Sequence, residues 1–249
     1  MPLEVPTFFA MLAAVMVGLS KGGLPAIGML AVPILAMQMS PIKAAALLLP
    51  IYLLTDPVAI WLYRRDFSKP NLQVLIPAGL LGVLFGWSTA SFLSDRAIGF
   101  LVGAMGIGFC LNVWFGRKPG ATGRAPSRLK GWFWGSLSGF TSFVTHSGSP
   151  PFQIYVLPQQ LPKVVFAGTS TLLFATINLA KIIPYQQLRP YSIADLQAAV
   201  WLVPFALFGT VAGAYLTKRI ADVWFFRVVR MALFLVSCKL VWDAVMRSH

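Results

Sequence analysis

The sequence predicts an all-α integral membrane protein made of two inverted repeats, each a re-entrant or broken helical hairpin followed by three transmembrane helices. Three observations support this prediction. The chain is 57% hydrophobic and only 11% charged, whereas a soluble globular protein carries about 25% charged residues. Apolar runs long enough to cross the roughly 30 Å core of a bilayer recur along the chain. A short polar, glycine-rich break inside apolar sequence occurs twice, once in each half.

The first hairpin is predicted from two apolar segments that flank the first break. Residues 5–19 and 24–39 each provide roughly 15 residues, or about 22 Å of helix, which is too short to cross the bilayer core. Joined end to end they would be too long for one crossing. A hairpin that enters and returns on the same side fits both lengths, with its tip at residues 20–23. Non-helical backbone is tolerated at this depth only where it is buried in protein or lines a wet cavity.

The remaining organisation follows from further apolar runs and one polar linker. Residues 1–116 form the first membrane repeat, with predicted crossings at residues 41–63, 72–93 and 97–115. Residues 117–130 carry basic side chains and no acidic one, and form a predicted cytoplasmic linker. Residues 131–249 form the second repeat, with a hairpin at residues 131–161 and crossings at residues 164–185, 196–216 and 223–245.

The basic residues predict the orientation of the repeats. The net charge of +13 is concentrated in short loops between apolar segments, as expected of cytoplasmic loops in membrane proteins. We therefore expect membrane lipid, and not nucleic acid, around this chain. Residues 64–69 and the linker then face the cytoplasm. Three crossings per repeat invert the second repeat, so the two hairpins enter from opposite sides and their tips meet near the midplane.

An internal duplication supports the two repeats. Sliding the first break onto the second by about 125 positions places Lys21 on His146 and Gly23 on Gly148. The match continues beyond the breaks, with one tyrosine, one Phe-Gly pair and one buried polar position repeated. These further pairs are Tyr63 with Tyr185, Phe85-Gly86 with Phe208-Gly209, and Asp56 with Asn178.

The chemistry of the breaks predicts a site for a small anion. A helix is expected to start after each break, at residues 22–26 and 148–152, and helix N-termini offer unpaired amides with a partial positive charge. Lys21 adds positive charge, and His146 does so when it is protonated. Nearby hydroxyl and amide side chains add donors. The predicted substrate-binding residues are Ser20, Lys21, Gly22, Gly23, Thr145, His146, Ser147, Gly148, Ser149, Gln153, Asn178 and Lys181.

Asp56 is an acidic residue within a predicted crossing and has two interpretations. A carboxylate inside the membrane is by default a functional candidate, and its repeat counterpart Asn178 cannot titrate, which suits a role in proton coupling. Thr55-Asp56-Pro57 is equally typical of a helix that stops and restarts, with an N-cap followed by a proline. Asp56 is thus the proton-coupling candidate, with the N-cap as the structural alternative.

The repeated break resembles that of a known family. The run Gly18-Leu19-Ser20-Lys21-Gly22-Gly23-Leu24-Pro25, a second glycine-containing break before Pro150, and two four-segment halves joined by a polar linker are similar to the sulfite exporter TauE/SafE family of membrane transporters. The resemblance covers nearly the whole chain. It implies secondary transport of a small sulfur-containing anion (sulfite, thiosulfate, a sulfonate or an organosulfur acid) across a bacterial inner membrane. The second break, His146-Ser147-Gly148-Ser149, is less glycine-rich than the family pattern.

Other classes of function fit the sequence less well. An enzyme is not predicted, because there is no P-loop for ATP hydrolysis and no serine, histidine and acid occur as a recognisable set. Cys110 and Cys238 lie in apolar segments without metal-ligand spacing, so no cofactor and no resident metal are predicted. The alternative within transporters is a permease for a metal cation or another small carboxylate. A coupling proton or sodium ion and a homo-oligomer are both compatible with the sequence.

Overall fold

The structure, a computed structural model, describes residues 7–25, 27–35, 41–89, 95–115, 123–188 and 190–246. Within these ranges the chain forms α-helices and two short 3₁₀ turns, and no strand. The predicted all-helical class is therefore confirmed for the described residues.

The two halves have a similar order of elements, which differs in the place of the 3₁₀ turn and in one additional short helix in the second half. The first contains α1 (Thr7–Lys21), a 3₁₀ turn (Ile27–Leu30), α2 (Ala31–Leu35), α3 (Pro41–Tyr63), α4 (Lys69–Thr89) and α5 (Asp95–Phe115). The second contains α6 (Arg128–Thr145), α7 (Ser149–Val156), a 3₁₀ turn (Leu157–Gln159), α8 (Lys163–Ala180), α9 (Ile182–Leu188), α10 (Ile193–Arg219) and α11 (Asp222–Met246). In each half a helix, a break and a short return arm precede the long helices.

Several long helices match the predicted crossings. Among the described residues, α4, α8 and α10 are long and apolar enough to span a membrane, judged by length and composition. Helices α3, α5 and α11, with 23, 21 and 25 residues, coincide with the other three predicted crossings. The number of crossings, the re-entrant path of the hairpins and the inversion of the second repeat stay predictions.

The predicted linker falls only partly on described residues. Residues 116–122 lie outside them, as does Arg189 in the predicted loop after α9. Residues 123–127 are not helical, and α6 begins at Arg128, which is inside the range predicted as linker.

The predicted interruption of the 41–63 crossing is wrong. Helix α3 continues through both Pro50 and Pro57. The hydroxyl of Thr55 donates to the carbonyl oxygen of Ile51 at 2.8 Å, within the same helix. Asp56 therefore does not start a new helix, and the N-cap interpretation of this residue falls with the interruption.

An unpredicted interruption divides the 164–185 crossing instead. Helix α8 ends at Ala180, Lys181 forms a turn, and α9 begins at Ile182. Pro184 has no N–H to donate to the carbonyl oxygen of Ala180, so the helical hydrogen bonding is broken at this point. The result is that Lys181 occupies a kink inside the protein, where its side chain is fully buried.

The halves are interleaved. Helix α1 of the first half packs mainly on α10 of the second, and α6 of the second half packs mainly on α4 of the first. Helix α5 packs on α11, and α3 packs on α8. Let α1 be exchanged with α6, α3 with α8, α4 with α10, and α5 with α11. This exchange converts the α1–α10 contact into the α6–α4 contact, and it leaves the α3–α8 and α5–α11 contacts unchanged. The packing thus has a twofold pattern, and α3 and α8 meet at its centre.

Glycines allow the close approach of the interleaved helices. A Cβ added at Gly18 or at Gly209 would overlap backbone atoms of the opposite helix in the α1–α10 contact. The same holds for Gly82 and Gly139 in the α4–α6 contact. Small residues that bring backbones together are typical of helix packing in membranes. The repeated Phe85 and Phe208 are exposed, as expected of side chains facing lipid.

Candidate functional site

The first break is a tightly bonded helix end. Gly23 has a φ of +114°, and its amide donates to the carbonyl oxygen of Ser20 at 3.3 Å. The amide of Leu24 donates to Leu19 at 3.2 Å, which completes the pattern by which a left-handed residue ends a helix. The amide of Gly22 donates to Gly18 at 2.8 Å. These three amides, predicted to face a ligand, are therefore used to cap α1, and that part of the prediction is wrong.

Side chains from other helices hold the carbonyl groups of the first break. The hydroxyl of Tyr63 donates to the Gly22 carbonyl oxygen at 2.5 Å, and that of Thr217 donates to the same oxygen at 3.0 Å. Thr171 donates to the Lys21 carbonyl oxygen at 3.1 Å. Buried backbone groups need such partners. Helices α3, α8 and α10 thus fix the backbone of this break.

The second break also begins with a left-handed residue. His146, with a φ of 54°, ends α6, and its amide donates to the carbonyl oxygen of Ser142 at 3.2 Å. Gly23 and His146 are 123 residues apart by their numbers. The two left-handed residues therefore align the breaks with a shift about two positions smaller than the shift predicted from the sequence. This smaller shift is close to the separation of Tyr63 and Tyr185 in the sequence.

A helix does start directly after the second break. Gly148 is the N-cap of α7, and Ser149 is its first residue. The amides of Gly148 and Ser149 have no hydrogen-bond acceptor among the described residues, and Pro150 and Pro151 have no N–H at all. The Ser149 hydroxyl accepts a hydrogen bond from Gln153 Nε2 at 2.6 Å, which leaves its proton free to donate. The N-terminus of α7 is thus a set of donors without acceptors.

Both breaks line one central cavity. Its volume is about 40 Å³, counted as the space open to the centres of water molecules. Ser20 and Lys21 contribute from the first break, and His146, Gly148 and Ser149 from the second. Other helices complete the wall, and the further lining residues are Pro25, Gly28, Met29, Tyr52, Ser142, Ser170, Thr171, Phe174 and Asn178.

Lys21 forms a buried ion pair with Asp56 beside this cavity. The Lys21 ammonium contacts Asp56 Oδ1, and both side chains are almost completely buried. Asn178 Nδ2 donates to Asp56 Oδ2 at 3.2 Å. Asp56 and its repeat counterpart therefore touch each other across the α3–α8 contact. Lys21 and Asn178 line the cavity, whereas Asp56 is not among the lining residues.

Lys181 is a second buried cation near the cavity. Its side chain is fully buried, and its ammonium donates to Ser142 Oγ at 2.8 Å. No carboxylate lies within ion-pair distance of it among the described residues. A buried ammonium without a counter-ion is unfavourable in a low-dielectric environment. The site therefore has an excess of positive charge when both lysines are protonated.

A comparison with known families identifies the family of the chain. The family model described as Sulfite exporter TauE/SafE matches residues 10–240, which is most of the chain. The chain belongs to the sulfite exporter TauE/SafE family. Membership indicates a membrane transporter of sulfur anions such as sulfite, and it is consistent with a protein that is not an enzyme. No curated protein and no solved structure matches the chain significantly.

In this TauE/SafE protein, six of the predicted substrate-binding residues line the cavity. They are Ser20, Lys21, His146, Gly148, Ser149 and Asn178. Other predicted residues lie behind the wall. Gly22 and Gly23 shape the first break, Gln153 contacts Ser149, and Lys181 contacts Ser142. Ser147 is buried in the second break and does not line the cavity. The side chain of Thr145 lies outside the described residues.

Tyr52 is a lining residue that the sequence reasoning missed. Its ring stacks on the His146 ring with centroids 5.7 Å apart and an angle of 11°. The Lys21 ammonium lies 5.1 Å from the centre of the same ring, and the Tyr52 hydroxyl donates to the Gly28 carbonyl oxygen at 3.3 Å. Tyr52 thus connects the two breaks. No local signal marks it, because a tyrosine in an apolar helix is also common in lipid-facing positions.

Ser142, Ser170 and Thr171 were missed as well, although the sequence carries a weak signal for them. The run Thr169-Ser170-Thr171 places three hydroxyl side chains inside the apolar helix α8, and all three are buried. Polar side chains within membrane helices usually face the protein interior or a cavity. That rule identifies the run as interior, but it does not say which member reaches the site.

His146 is held by aromatic side chains. The Tyr185 hydroxyl donates to the Phe143 carbonyl oxygen at 2.8 Å and lies 3.2 Å from His146 Nε2. Because a tyrosine hydroxyl has a single proton, the Nε2 nitrogen is then the donor in the second contact. The ring is thereby fixed in orientation between Tyr52 and Tyr185. Contacts within the protein therefore fix the position of the His146 ring without a ligand.

Proposed function

We propose that this protein is a secondary transporter that binds a small sulfur-containing anion in the central cavity between the two helix breaks. The observation that carries the proposal is the convergence of both breaks on one buried cavity with more cationic than anionic groups. Sulfite and thiosulfate are the substrates that best suit this site. A bacterial inner-membrane location and the inverted orientation of the repeats belong to the same proposal.

Charge supports an anion over a neutral or cationic substrate. With both lysines protonated, Lys21 and Asp56 cancel, and the charge on Lys181 remains. An anion in the cavity would provide the missing counter-charge, and the interaction is strong because the surroundings are poor in water. A metal cation would meet the opposite field. Among the described residues there is no group of three or more histidine, cysteine, aspartate or glutamate side chains that could hold one.

Hydrogen-bond donors support an oxyanion. Gly148 and Ser149 line the cavity at the start of α7, where their amides have no acceptor among the described residues and the helix contributes a partial positive charge. The hydroxyls of Ser20 and Ser170 line other parts of the wall. Donors on several sides suit a tetrahedral or pyramidal oxyanion, whose oxygens point in different directions. A small carboxylate shares part of this chemistry and stays the alternative substrate.

Size supports a small ion. A water molecule needs about 10–15 Å³ of such space, so a cavity of about 40 Å³ holds roughly three waters or a comparable oxyanion. Sulfite and thiosulfate fit this limit. A larger sulfonate such as sulfoacetate would need the walls to move.

A direct binding measurement tests the proposal. Purified protein in detergent is titrated with thiosulfate, sulfite, sulfoacetate, acetate and a divalent metal chloride, and the shift in unfolding temperature is recorded. We expect stabilisation by thiosulfate and sulfite, weaker stabilisation by acetate and sulfoacetate, and none by the metal. Stabilisation by the metal alone would contradict an anion site and favour the metal-cation alternative.

Substitution of Lys181 adds a matched control to this measurement. Lys181→Met removes the buried charge and should abolish most of the thiosulfate-induced shift. Lys239→Met makes the same change at a partly exposed lysine of α11 that pairs with Asp243, and should leave the shift unchanged. An equal thiosulfate response in Lys181→Met and in the wild-type protein would overturn the assignment of the cavity charge.

A further inference from the structure

We propose that Asp56 competes with the transported anion for Lys21 and Asn178, and that a proton bound by Asp56 accompanies each anion through the protein. This inference rests on the proposed function, because it assumes that an anion occupies the central cavity. It assigns a coupling ion, a coupling residue and a physical reason for the coupling.

The geometry places Asp56 where an anion would otherwise act. One carboxylate oxygen contacts the Lys21 ammonium, and the other accepts from Asn178 Nδ2 at 3.2 Å. Both of these donors line the cavity, whereas Asp56 does not. The Asp56 carboxylate thus lies outside the cavity and binds the Lys21 ammonium and the Asn178 amide. An oxyanion in the cavity could bind the same two groups.

Protonation of Asp56 would release both donors. The step is the addition of one aqueous proton to the carboxylate, which becomes a neutral carboxyl group. A neutral carboxyl group attracts Lys21 much less than a carboxylate does. The ammonium of Lys21 can then pair with the anion, and the Asn178 amide can donate to it. Loss of the proton on the other side of the membrane restores the ion pair and expels the anion.

The charges of the site match this exchange. When Lys181 is protonated and Asp56 is ionised, one positive charge, that of Lys181, is unbalanced. With Asp56 protonated, both lysines are unbalanced, and a dianion such as thiosulfate brings the site to neutrality. A dianion with one proton therefore meets a lower electrostatic penalty than a dianion alone.

Other ionisable groups near Asp56 could also cause pH dependence, so the test has to separate them. Lys21 faces Asp56 from α1, and Lys181 lies in the turn directly after α8, one turn from Asn178. Tyr52 lies on α3 one turn before Asp56, and its ring stacks on His146 of the second break. Of these groups, histidine is the one that ordinarily titrates near neutral pH. His146 is therefore one competing explanation, and Lys181, a buried lysine without a carboxylate partner among the described residues, is the other.

The experiment measures protons taken up when thiosulfate binds. Thiosulfate stays a dianion near pH 6 and near pH 8, so its own titration does not contribute. Calorimetric titration of the purified protein in two buffers with different heats of ionisation gives the number of protons bound per anion. For the wild-type protein we expect about one proton per thiosulfate near neutral pH, and an affinity up to about tenfold higher for each unit by which the pH falls.

Asp56→Asn tests the residue, and His146→Gln is the control. Asp56→Asn should bind thiosulfate at about pH 8 at least as tightly as the wild-type protein does at about pH 6, with no proton uptake. His146→Gln should keep the proton uptake even if its affinity falls. In proteoliposomes, thiosulfate uptake should carry protons with the wild-type protein but not with Asp56→Asn, as reported by an internal pH-sensitive dye.

The outcomes distinguish the coupling from the anion site itself. Wild-type protein that binds thiosulfate without proton uptake would overturn the coupling and leave the proposed function intact, and this result does not require Asp56→Asn to fold. Proton uptake that persists in a folded Asp56→Asn would overturn the role of Asp56, and its disappearance in His146→Gln would assign the uptake to His146 instead. Failure of the wild-type protein to bind thiosulfate at either pH would overturn the proposed function and this inference together.

Discussion

The break after α1 and the break after α6 both follow a helix that ends at a residue with positive φ, yet different groups surround them. At the first break the amides of Gly22, Gly23 and Leu24 bond back to α1. Hydroxyls from α3, α8 and α10 hold its carbonyl groups. At the second break a new helix starts at Ser149 with amides that have no acceptor among the described residues. The first break therefore presents mainly a cation, Lys21, and the second presents neutral donors.

This difference shows how the two copies of a duplicated motif can contribute different chemical groups to one site. Two identical helix starts would offer the same donors from both sides. Here one copy provides a charge that a neighbouring carboxylate can neutralise, and the other provides amide and hydroxyl donors at the start of a helix. In the proposed coupling, the proton binds beside the first break. The comparison can be tested at the level of topology, backbone conformation and individual donors.

The largest expected effect concerns the sides from which the two breaks enter. If the repeats are inverted, reporter fusions in the linker, residues 117–130, and after the C-terminus lie on opposite sides of the membrane. An alkaline-phosphatase fusion should be active at the C-terminus and inactive in the linker, and a cytoplasmic fluorescent fusion should give the reverse. Activity of the same reporter at both positions would show that the halves are parallel and would remove the structural basis of the comparison.

A smaller effect, on the free energy of unfolding, is expected from substituting the residue with positive φ in each break. Gly23→Ala puts a side chain at a φ of +114°, where its Cβ would lie within 3 Å of Thr217, Ala167 and Tyr63. We expect a loss of about 2–4 kcal/mol in the free energy of unfolding from backbone strain and overpacking together. His146→Gly relieves backbone strain but removes a buried ring and its contacts with Tyr52 and Tyr185, so we expect a smaller net loss, of about 1–2 kcal/mol.

Thermal or denaturant unfolding of the purified variants in one detergent provides this measurement. Equal stability of Gly23→Ala and the wild-type protein would mean that the first break is not the rigid, bonded end described above. A loss of stability in His146→Gly as large as that in Gly23→Ala would mean that relief of backbone strain does not offset part of the lost ring contacts.

The smallest expected effect distinguishes ligand donors from structural ones. Ser149→Ala removes a hydroxyl at the start of α7 and should weaken thiosulfate binding about tenfold, since a hydrogen bond to a charged group contributes about 1.5–3 kcal/mol. Thr217→Val removes a hydroxyl that holds the Gly22 carbonyl group. It should lower stability by about 1 kcal/mol and change the affinity by less than about twofold. A similar loss of affinity in both variants would mean that the two breaks contribute alike.

Much of the architecture could be predicted from the sequence because it depends on local or repeated signals. Apolar length predicts the long helices, and the duplication predicts that Asp56 and Asn178 correspond. The convergence of Lys21 and His146 on one cavity also follows from the repeat, since related hairpins meet at a common centre. These features need only the order of the residues.

The remaining features depend on contacts between distant parts of the chain. The amides of the first break cannot bind a ligand, because Gly23 has a positive φ and these amides donate to carbonyl groups of α1. A pair of glycines permits this helix end but does not require it. Tyr52 enters the site because α3 lies between the breaks. Thr55-Asp56-Pro57 has the composition of a helix start, but packing of α3 against α8 and α10 keeps the helix continuous. Tertiary contacts decided each case.

The interleaving of the halves limits the movements by which the protein could open the site to either side of the membrane. Because α1 is packed closely on α10, and α6 on α4, with backbone contacts at glycine positions, neither half of the sequence can tilt as a separate body. Any rocking unit has to combine a hairpin of one half with the helix of the other half that supports it. The hinge is then expected where the two composite units meet, at the contact between α3 and α8. That contact contains Asp56 and Asn178, so the same movement that opens the site would also change their separation.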